Sequence, residues 1–413
     1  MKYATKYVII GNSSAAIGAV EGIRQTDPEG EITIITDEPH HTYSRPLISY
    51  LLLGKVTEEG MRYRGENFYS DNNCSLLRDV SAAEIDSKAK IVVLSDGRRV
   101  PYDKLLVATG SSPFVPPFEG LGDVKEKFTF MRLDDARGLG KALQKTHRVL
   151  IVGAGLIGLK CAEGILGRVK EVTLLDLAPR VLPSILDDDG AKLVQSHMES
   201  KGAEFRLSAS VKSFEPNAAI LESGEKLDFD VLVLAVGVRP NTALLNGIAE
   251  IKRGIVINEK SETTAQGIYA AGDCTETLDI SSGDSKIMAL LPNAYMQGEC
   301  AGANMAGGDM SFEKAIPMNA IGFFGLHIIT AGNYEGGVYA ENQEGGFKRL
   351  YYSDNKLNGF ILIGNVEKAG IYTSLIRERT PLDTIDFPLV CKKPGLMAFQ
   401  HEERKAKLGG IVV

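Results

Sequence analysis

Two glycine-rich stretches carry the clearest chemistry in this sequence. Gly153-Ala154-Gly155-Leu156-Ile157-Gly158 follows the β-rich run 148–152 and opens a helix-compatible stretch. Gly11-Asn12-Ser13-Ser14-Ala15-Ala16 follows the run 6–10 in the same way, with helix-compatible residues at about 14–24 and a second β run at 31–35. At such a strand–turn–helix corner the first glycine makes the tight turn. The second lets backbone approach a pyrophosphate, and the third lets helix pack on strand. The helix N-terminus adds unpaired N–H groups and a partial positive charge. Gly153, Gly155, Leu156, Ile157 and Gly158 are therefore candidate contacts for one dinucleotide, and Gly11, Ser13, Ser14 and Ala15 for another. The first copy departs from the pattern at Ser13, whose Cβ restricts how close a phosphate can come. The alternative for both stretches is that the glycines only shape a βα corner.

Acids follow each turn at the expected place. Asp176 closes the β run 172–175, where a carboxylate accepts a hydrogen bond from a ribose 2′-OH and repels a 2′-phosphate. This favours NADH over NADPH, with Arg180 offsetting part of the repulsion. After the run 31–35, Asp37 and Glu38 are the candidates for the other nucleotide's ribose; a solvated pair of loop acids is the alternative.

The repetition continues beyond the turns. Ile91-Val92-Val93-Leu94-Ser95-Asp96-Gly97 precedes Leu105-Leu106-Val107-Ala108-Thr109-Gly110, and Ala219-Ile220-Leu221-Glu222-Ser223-Gly224 precedes Leu232-Val233-Leu234-Ala235-Val236-Gly237. Each is a hairpin-like segment followed by a buried strand that stops at glycine. The elements that must position the turns are thus two copies of one unit. The fold class expected is α/β with two Rossmann-like dinucleotide-binding domains, and 413 residues leave room for a third, smaller α+β domain.

With these motifs on view, the chain resembles the FAD/NAD(P)-dependent pyridine nucleotide oxidoreductases, in particular the branch of rubredoxin reductases and nitrite-reductase flavoproteins. The resemblance covers about residues 1–380. It also rests on Tyr43-Ser44-Arg45-Pro46, Ala108-Thr109-Gly110, Gly237-Val238-Arg239-Pro240-Asn241-Thr242 and Gly267-Ile268-Tyr269-Ala270-Ala271-Gly272-Asp273. It implies FAD at the first turn and NAD(H) at the second. It implies that Asp273 holds the FAD ribityl chain, that Arg45 contacts the phosphates and that Pro46 lies near the isoalloxazine. Ala108, Thr109, Gly110, Gly272, Asn293 and Ala294 are further implied FAD contacts, and Gly237 an NAD contact. A guanidinium suits a pyrophosphate because it offers a fork of donors, whereas a plain surface arginine is the alternative for Arg45. The layout implied is an FAD domain at 1–112 and 244–315, an NAD(H) domain inserted at 113–243 and a C-terminal interface domain at 316–413. A helix starting near Leu290 and running through Gly302 is implied to aim its N-terminus at the flavin pyrimidine. Phe323 and Phe324 fall either near the flavin edge or in a core.

The chain also departs from these relatives. Where they show Arg-Pro-Pro-Leu-Ser-Lys, Tyr50 replaces the lysine; where they carry its partner glutamate, this chain has Lys160, with Glu163 one turn later. The flavin-side ion pair is expected to be absent or rewired. Tyr50, Lys160 and Glu163 are then candidate modulators of a flavin-centred reaction that uses no catalytic side chain. Cysteines at 74, 161, 274, 300 and 391 show no CxxC or CxxxxC spacing, and the six histidines form no i,i+4 pair, so no metal or iron–sulfur site is expected. None falls near 44–48, where peroxidase relatives carry a thiol. Cys74 and Cys161 are expected to be small buried hydrophobes.

Composition sets the remaining bounds. Lys and Arg number 46 against 53 Asp and Glu, a net charge of −7 that argues against non-specific nucleic-acid binding. No apolar run reaches the roughly 20 residues of a membrane helix, and the start of the chain reads as strand rather than signal peptide, so a cytoplasmic location is expected. The resemblance then implies an enzyme passing electrons between NAD(H) and an iron–sulfur or other redox protein or subunit, within a hetero-oligomer or homodimer. Such flavoproteins include the FAD subunits of tungsten aldehyde oxidoreductase complexes. A rubredoxin reductase or stand-alone NADH oxidase is the second reading, and a non-catalytic flavin scaffold or redox sensor the alternative of another class. Residues 387–413 mix Lys392, Lys393, Arg404, Lys405 and Lys407 with Leu396, Met397, Phe399 and the apolar end 411–413, against Glu402 and Glu403. That mixture suits docking onto an acidic carrier, or folding onto the chain's own C-terminal domain or a dimer mate.

Overall fold

The computed structural model describes residues 4–343, 346–401 and 404–405. Lys407, Glu402, Glu403 and the apolar end 411–413, singled out above, lie outside the described residues. Two compact units are present: residues 1–183, 198–277 and 285–313 form one, and 184–197, 278–284 and 314–413 the other.

The first unit holds the repeat. Its first five-stranded sheet has the spatial order Ile268–Ala270, Lys104–Val107, Lys6–Ile10, Glu31–Ile35, Cys74–Leu77, all parallel. The second runs Lys127–Phe128, Val231–Leu234, Arg148–Val152, Glu171–Leu175, Ala203–Arg206, again all parallel. Both place the glycine-turn strand at the centre, with the chain leaving to one side and returning on the other. In open parallel α/β sheets ligands bind in the crevice beyond the strand ends at such a reversal. The strands are nearly continuous runs of Val, Ile and Leu because both faces are covered; Val8, Ile9, Val149 and Ile151 are at most 2% exposed. Each copy also carries a three-stranded antiparallel sheet, at 82–101 and 211–228, where the hairpin-like segments are expected.

The helix Ser14–Thr26 lies against the helix Leu291–Met305 at backbone distance. A Cβ on Gly18 would meet the Tyr295 carbonyl oxygen at 2.2 Å, and one on Gly298 the Ala15 oxygen at 1.9 Å. Small residues on both helices thus bring the start of the second helix beside the first glycine turn. The antiparallel pair 111–113 and 238–240 joins the two copies. Asn241 closes it: Thr109 Oγ1 donates to its carbonyl at 2.6 Å, and its Nδ2 donates to the Thr109 carbonyl at 2.9 Å.

The second unit is built on an antiparallel sheet ordered Met318–Phe323, Leu326–Gly332, Lys356–Ile363, Gly346–Ser353, Gly337–Gln343. The helices Ala369–Arg377 and Phe387–Lys392 supply the rest of its core, which centres on Leu350, Phe360, Tyr372 and Val390, all fully buried. Phe323 is also fully buried.

Candidate active site

The two turns share one backbone. Gly11 and Gly153 both have φ +117°, and a Cβ would stand 2.1 Å from the Ala108 oxygen in one and 2.2 Å from the Ala235 oxygen in the other. Only glycine suits either position, so the corners seen in the sequence are real repeats of one another. Gly158 is needed for close packing, since its Cβ would fall 1.9 Å from the Gly153 oxygen. By contrast, space over Gly155 is open, with no atom within 4 Å of a Cβ.

A cleft opens beside the first turn. Its walls include Gly11, Ser13, Ser14, Ala15, Asp37, Glu38, Arg45, Ala108, Thr109, Gly110, Gly272, Asp273 and Ala294. Thirteen of the fifteen residues expected at an FAD site therefore line one surface. Pro46 and Asn293 are not among them; Asn293 is 2% exposed within its helix. The two acids differ in setting. Glu38 is buried, its Oε1 2.5 Å from Arg45 Nη2, and its Oε2 accepts from Tyr43 at 2.6 Å. Asp37 is exposed and pairs with Arg132 at 2.9 Å. Arg132 and His40 line the cleft without having been signalled by any motif, and Tyr43, which opens the Tyr43-Ser44-Arg45-Pro46 motif, lines it without having been given a role. Arg132 lies 95 residues from its partner Asp37, and no local spacing foretells that meeting. Burial raises the Tyr43 phenol far above its ordinary value, so it stays a neutral donor to Glu38. Burial likewise raises the Asp273 carboxyl, opposed by the hydrogen bond from Ser111 at 3.1 Å and by the charge of Arg45.

At the second turn Asp176 is held from both sides. Its Oδ2 accepts from the Ala154 N–H at 2.6 Å and its Oδ1 from the Ala178 N–H at 2.8 Å. The carboxylate is thereby tied to the glycine turn itself. Arg180 Nη2 reaches the Pro183 carbonyl at 3.4 Å. Leu156 and Ile157 begin the helix Leu156–Ile165 and are partly exposed. Gly237 has φ +119° with open space beside it.

Tyr50, Lys160 and Glu163 come together, away from the cleft walls. Lys160 forms a short ion pair with Glu163, which is 2% exposed, and its Nζ lies 4.3 Å from the centre of the Tyr50 ring. Lys160 and Glu163 thus form a lysine–glutamate pair on one helix, capped by an aromatic face.

No cysteine is among the cleft-lining residues. All five thiols are free, and four are buried. Burial raises Cys74 to about 11, Cys274 to about 11 and Cys161 higher still. A thiol so protonated is a poor nucleophile and a poor redox relay. Among the described residues no cluster of His, Cys, Asp and Glu could hold a metal ion, and no helix is long and apolar enough to cross a membrane.

These residues fit two dinucleotides. The cleft supplies two guanidinium groups, a glycine corner and a partly buried carboxylate at the strand ends. The second corner supplies open space over Gly155 and an anchored acid.

Comparison with known proteins agrees. A family model described as pyridine nucleotide-disulphide oxidoreductase matches residues 5–298. A protein of Aromatoleum evansii, named NADH-dependent phenylglyoxylate dehydrogenase subunit epsilon, is 32% identical over 92% of this chain and 93% of its own length. Rubredoxin-NAD(+) reductase of Pseudomonas putida is 30% identical over 73% of this chain and 80% of its own. The solved covalent complex of putidaredoxin reductase with putidaredoxin superposes with a TM-score of 0.87 at 25% identity, covering 95% of this chain and 97% of that one. The chain belongs to the pyridine nucleotide-disulphide oxidoreductase family, as an electron-transferring flavoprotein whose cofactors are FAD and NAD(H).

Proposed function

We propose that this chain moves electrons between NAD(H) and an iron–sulfur protein or subunit, through FAD and without a redox-active cysteine. The observation that carries the reading is a complete pair of nucleotide corners with no thiol on the cleft. Bound FAD supplies two-electron exchange with a nicotinamide and one-electron exchange with a metal centre. The protein's part is to hold and orient. Gly11 and the start of the helix Leu291–Met305 offer backbone close to the cofactor; Arg45 and Arg132 offer positive charge to its phosphates; Asp273 accepts from its hydroxyls. Gly153, Gly155 and Gly158 seat the nicotinamide dinucleotide, and Asp176 selects NADH.

The domain boundaries proposed are 1–112 with 244–315 for FAD, 113–243 for NAD(H) and 316–413 for the interface domain. Membership in a larger assembly is supported by likeness over 92% of the chain to a protein named as a subunit. The test is anaerobic. NADH is mixed with FAD-loaded protein, and then rubredoxin, a [2Fe–2S] ferredoxin or a [4Fe–4S] ferredoxin is added. Reduction of at least one carrier at a rate exceeding oxygen consumption in a parallel air-saturated assay supports the reading. Oxygen as the only efficient acceptor would show a stand-alone NADH oxidase, and flavin that NADH leaves oxidised would show a scaffold or sensor.

A further inference from the structure

We propose that the C-terminal unit carries a docking face for the acidic surface of an iron–sulfur electron carrier, made by Lys368, Lys392 and Lys393 with Leu389 and Met397 as apolar anchors. The inference rests on the acceptor class proposed above and adds the place where that acceptor binds. A cavity of about 220 Å³ opens beside the end of the strand Lys356–Ile363, the first residues of Gly346–Ser353 and the segment that follows the helix Phe387–Lys392. Four lysines and two glutamates line it. One lysine is already committed, because Lys348 Nζ donates to Glu341 at 3.0 Å and to the Cys391 carbonyl at 2.9 Å. The other three, Lys368, Lys392 and Lys393, are exposed, and their ammonium groups have no partner among the described residues. Glu367 is the one further acid on the rim, so the face is positive on a chain whose net charge is −7. Lys368 sits at φ +62°, a backbone conformation that suits glycine or asparagine better than lysine.

Two exposed apolar side chains belong to the same C-terminal stretch as Lys392 and Lys393. Leu389 is 36% exposed and Met397 83%. They belong to adjoining segments: the Asp386 N–H donates to the Ala398 carbonyl at 3.0 Å, which ties the helix Phe387–Lys392 to the turn Leu396–Ala398. A small anion would use the lysines and leave Met397 in water. An acidic protein surface uses both, since charge steers encounter and apolar anchors lengthen residence. Docking here changes no bond within this chain.

The test uses the FAD-loaded full chain, with all three of Lys368, Lys392 and Lys393 replaced by Glu. A control replaces Lys88, Lys125 and Lys212 by Glu, which gives the same change in net charge at exposed positions elsewhere. The carriers are rubredoxin, a [2Fe–2S] ferredoxin and a [4Fe–4S] ferredoxin; ferricyanide measures turnover that needs no docking. The expected result is a KM for the oxidised carrier raised roughly tenfold or more at low salt, converging with wild type near 0.5 M salt as screening removes steering. Ferricyanide turnover should stay within about twofold, and the control should keep a near-wild-type KM. Met397→Ala alone should raise KM with little change in salt dependence. An unchanged KM in the triple variant, while wild type reduces a carrier, would overturn the docking face and leave the acceptor reading intact. Wild type that reduces ferricyanide but none of the three carriers would overturn both. A reversal that dissociates a homodimer without altering carrier KM would assign the face to a second copy and overturn the proposal.

Discussion

Asp176→Asn separates the job proposed for this carboxylate from the one it performs in the fold. As an acid it is proposed to repel the 2′-phosphate of NADPH. As an acceptor it ties the Ala154 and Ala178 N–H groups together, at 2.6 and 2.8 Å. Asparagine removes the charge and can accept from only one of the two amides, because its Nδ2 is a donor facing a donor. The charge effect follows from Coulomb's law: a 2′-phosphate of nearly two charges about 5 Å from a carboxylate costs about 2 kcal/mol in water and several at a partly shielded surface. A loss of about 2–3 kcal/mol of discrimination is roughly 30–150-fold in the ratio of kcat/KM for NADH over NADPH. The lost amide bond acts on both nucleotides alike and should lower both kcat/KM values by about tenfold or more, since one hydrogen bond to a charged group contributes about 1.5–3 kcal/mol. Steady-state reduction of ferricyanide with each nucleotide measures both effects. The expected outcome is a collapsed preference with a parallel loss for NADH. A wild-type preference for NADPH, or a variant whose preference is unaltered, would refute the role given to Asp176.

Four further outcomes are expected. Gly158→Ala places a Cβ 1.9 Å from the Gly153 oxygen, so it should raise the KM for NADH about tenfold or more while acid-released FAD per chain stays at the wild-type level. Loss of flavin along with NADH affinity would show that the two corners are not separable. Asp273→Ala should weaken FAD retention by about 1.5–3 kcal/mol, read by flavin release during dialysis; a variant that keeps its flavin as wild type does would remove Asp273 from the ribityl site. Lys160→Met strips a partner from Glu163, which is 2% exposed, and should cost about 3–5 kcal/mol in urea unfolding, with much of it recovered by adding Glu163→Gln. A negligible cost would mean that the pair is not an energetic feature of the fold. Glu21 is drawn below its ordinary value of 4.5, because hydrogen bonds from Arg64 and Tyr295 outweigh the burial that raises it. Its folded value lies below its unfolded one, so its contribution is present above the ordinary range and disappears as pH falls through the lowered value. The Tm should therefore drop on acidification, less steeply in Glu21→Gln; identical slopes would contradict this.

Much of the site was legible because backbone geometry wrote it into residue type. A φ of +117° and a carbonyl 2.1–2.2 Å from a would-be Cβ leave only glycine at 11 and 153, and the strands before them are buried on both faces, so they read as unbroken apolar runs. The run 148–152 and the run 6–10 coincide with the strands observed. Asp176 was legible because a strand end after such a turn calls for an acid. Arg132 was not legible as a cleft residue, since its place depends on pairing with Asp37 across the fold rather than on spacing. Pro46 and Asn293, expected at the flavin from resemblance alone, are not among the cleft-lining residues; Asn293 Nδ2 lies 3.7 Å from the Met288 sulfur. The Lys160–Glu163 pair shows the reverse case: the sequence marked a departure from the relatives, and only the packing of Tyr50 over Lys160 explains how the departure is accommodated.

The most direct test of the central claim counts electrons. Anaerobic dithionite titration of the FAD-loaded chain, followed by its absorbance, should end after about two electrons per FAD, because flavin is the only redox centre expected. The same end point should hold in a variant with all five cysteines replaced by Ser or Ala, and that variant should still pass electrons from NADH to an iron–sulfur carrier. Uptake of about four electrons per FAD in wild type, falling to about two in the cysteine-free variant together with loss of carrier reduction, would show a thiol relay and contradict the account.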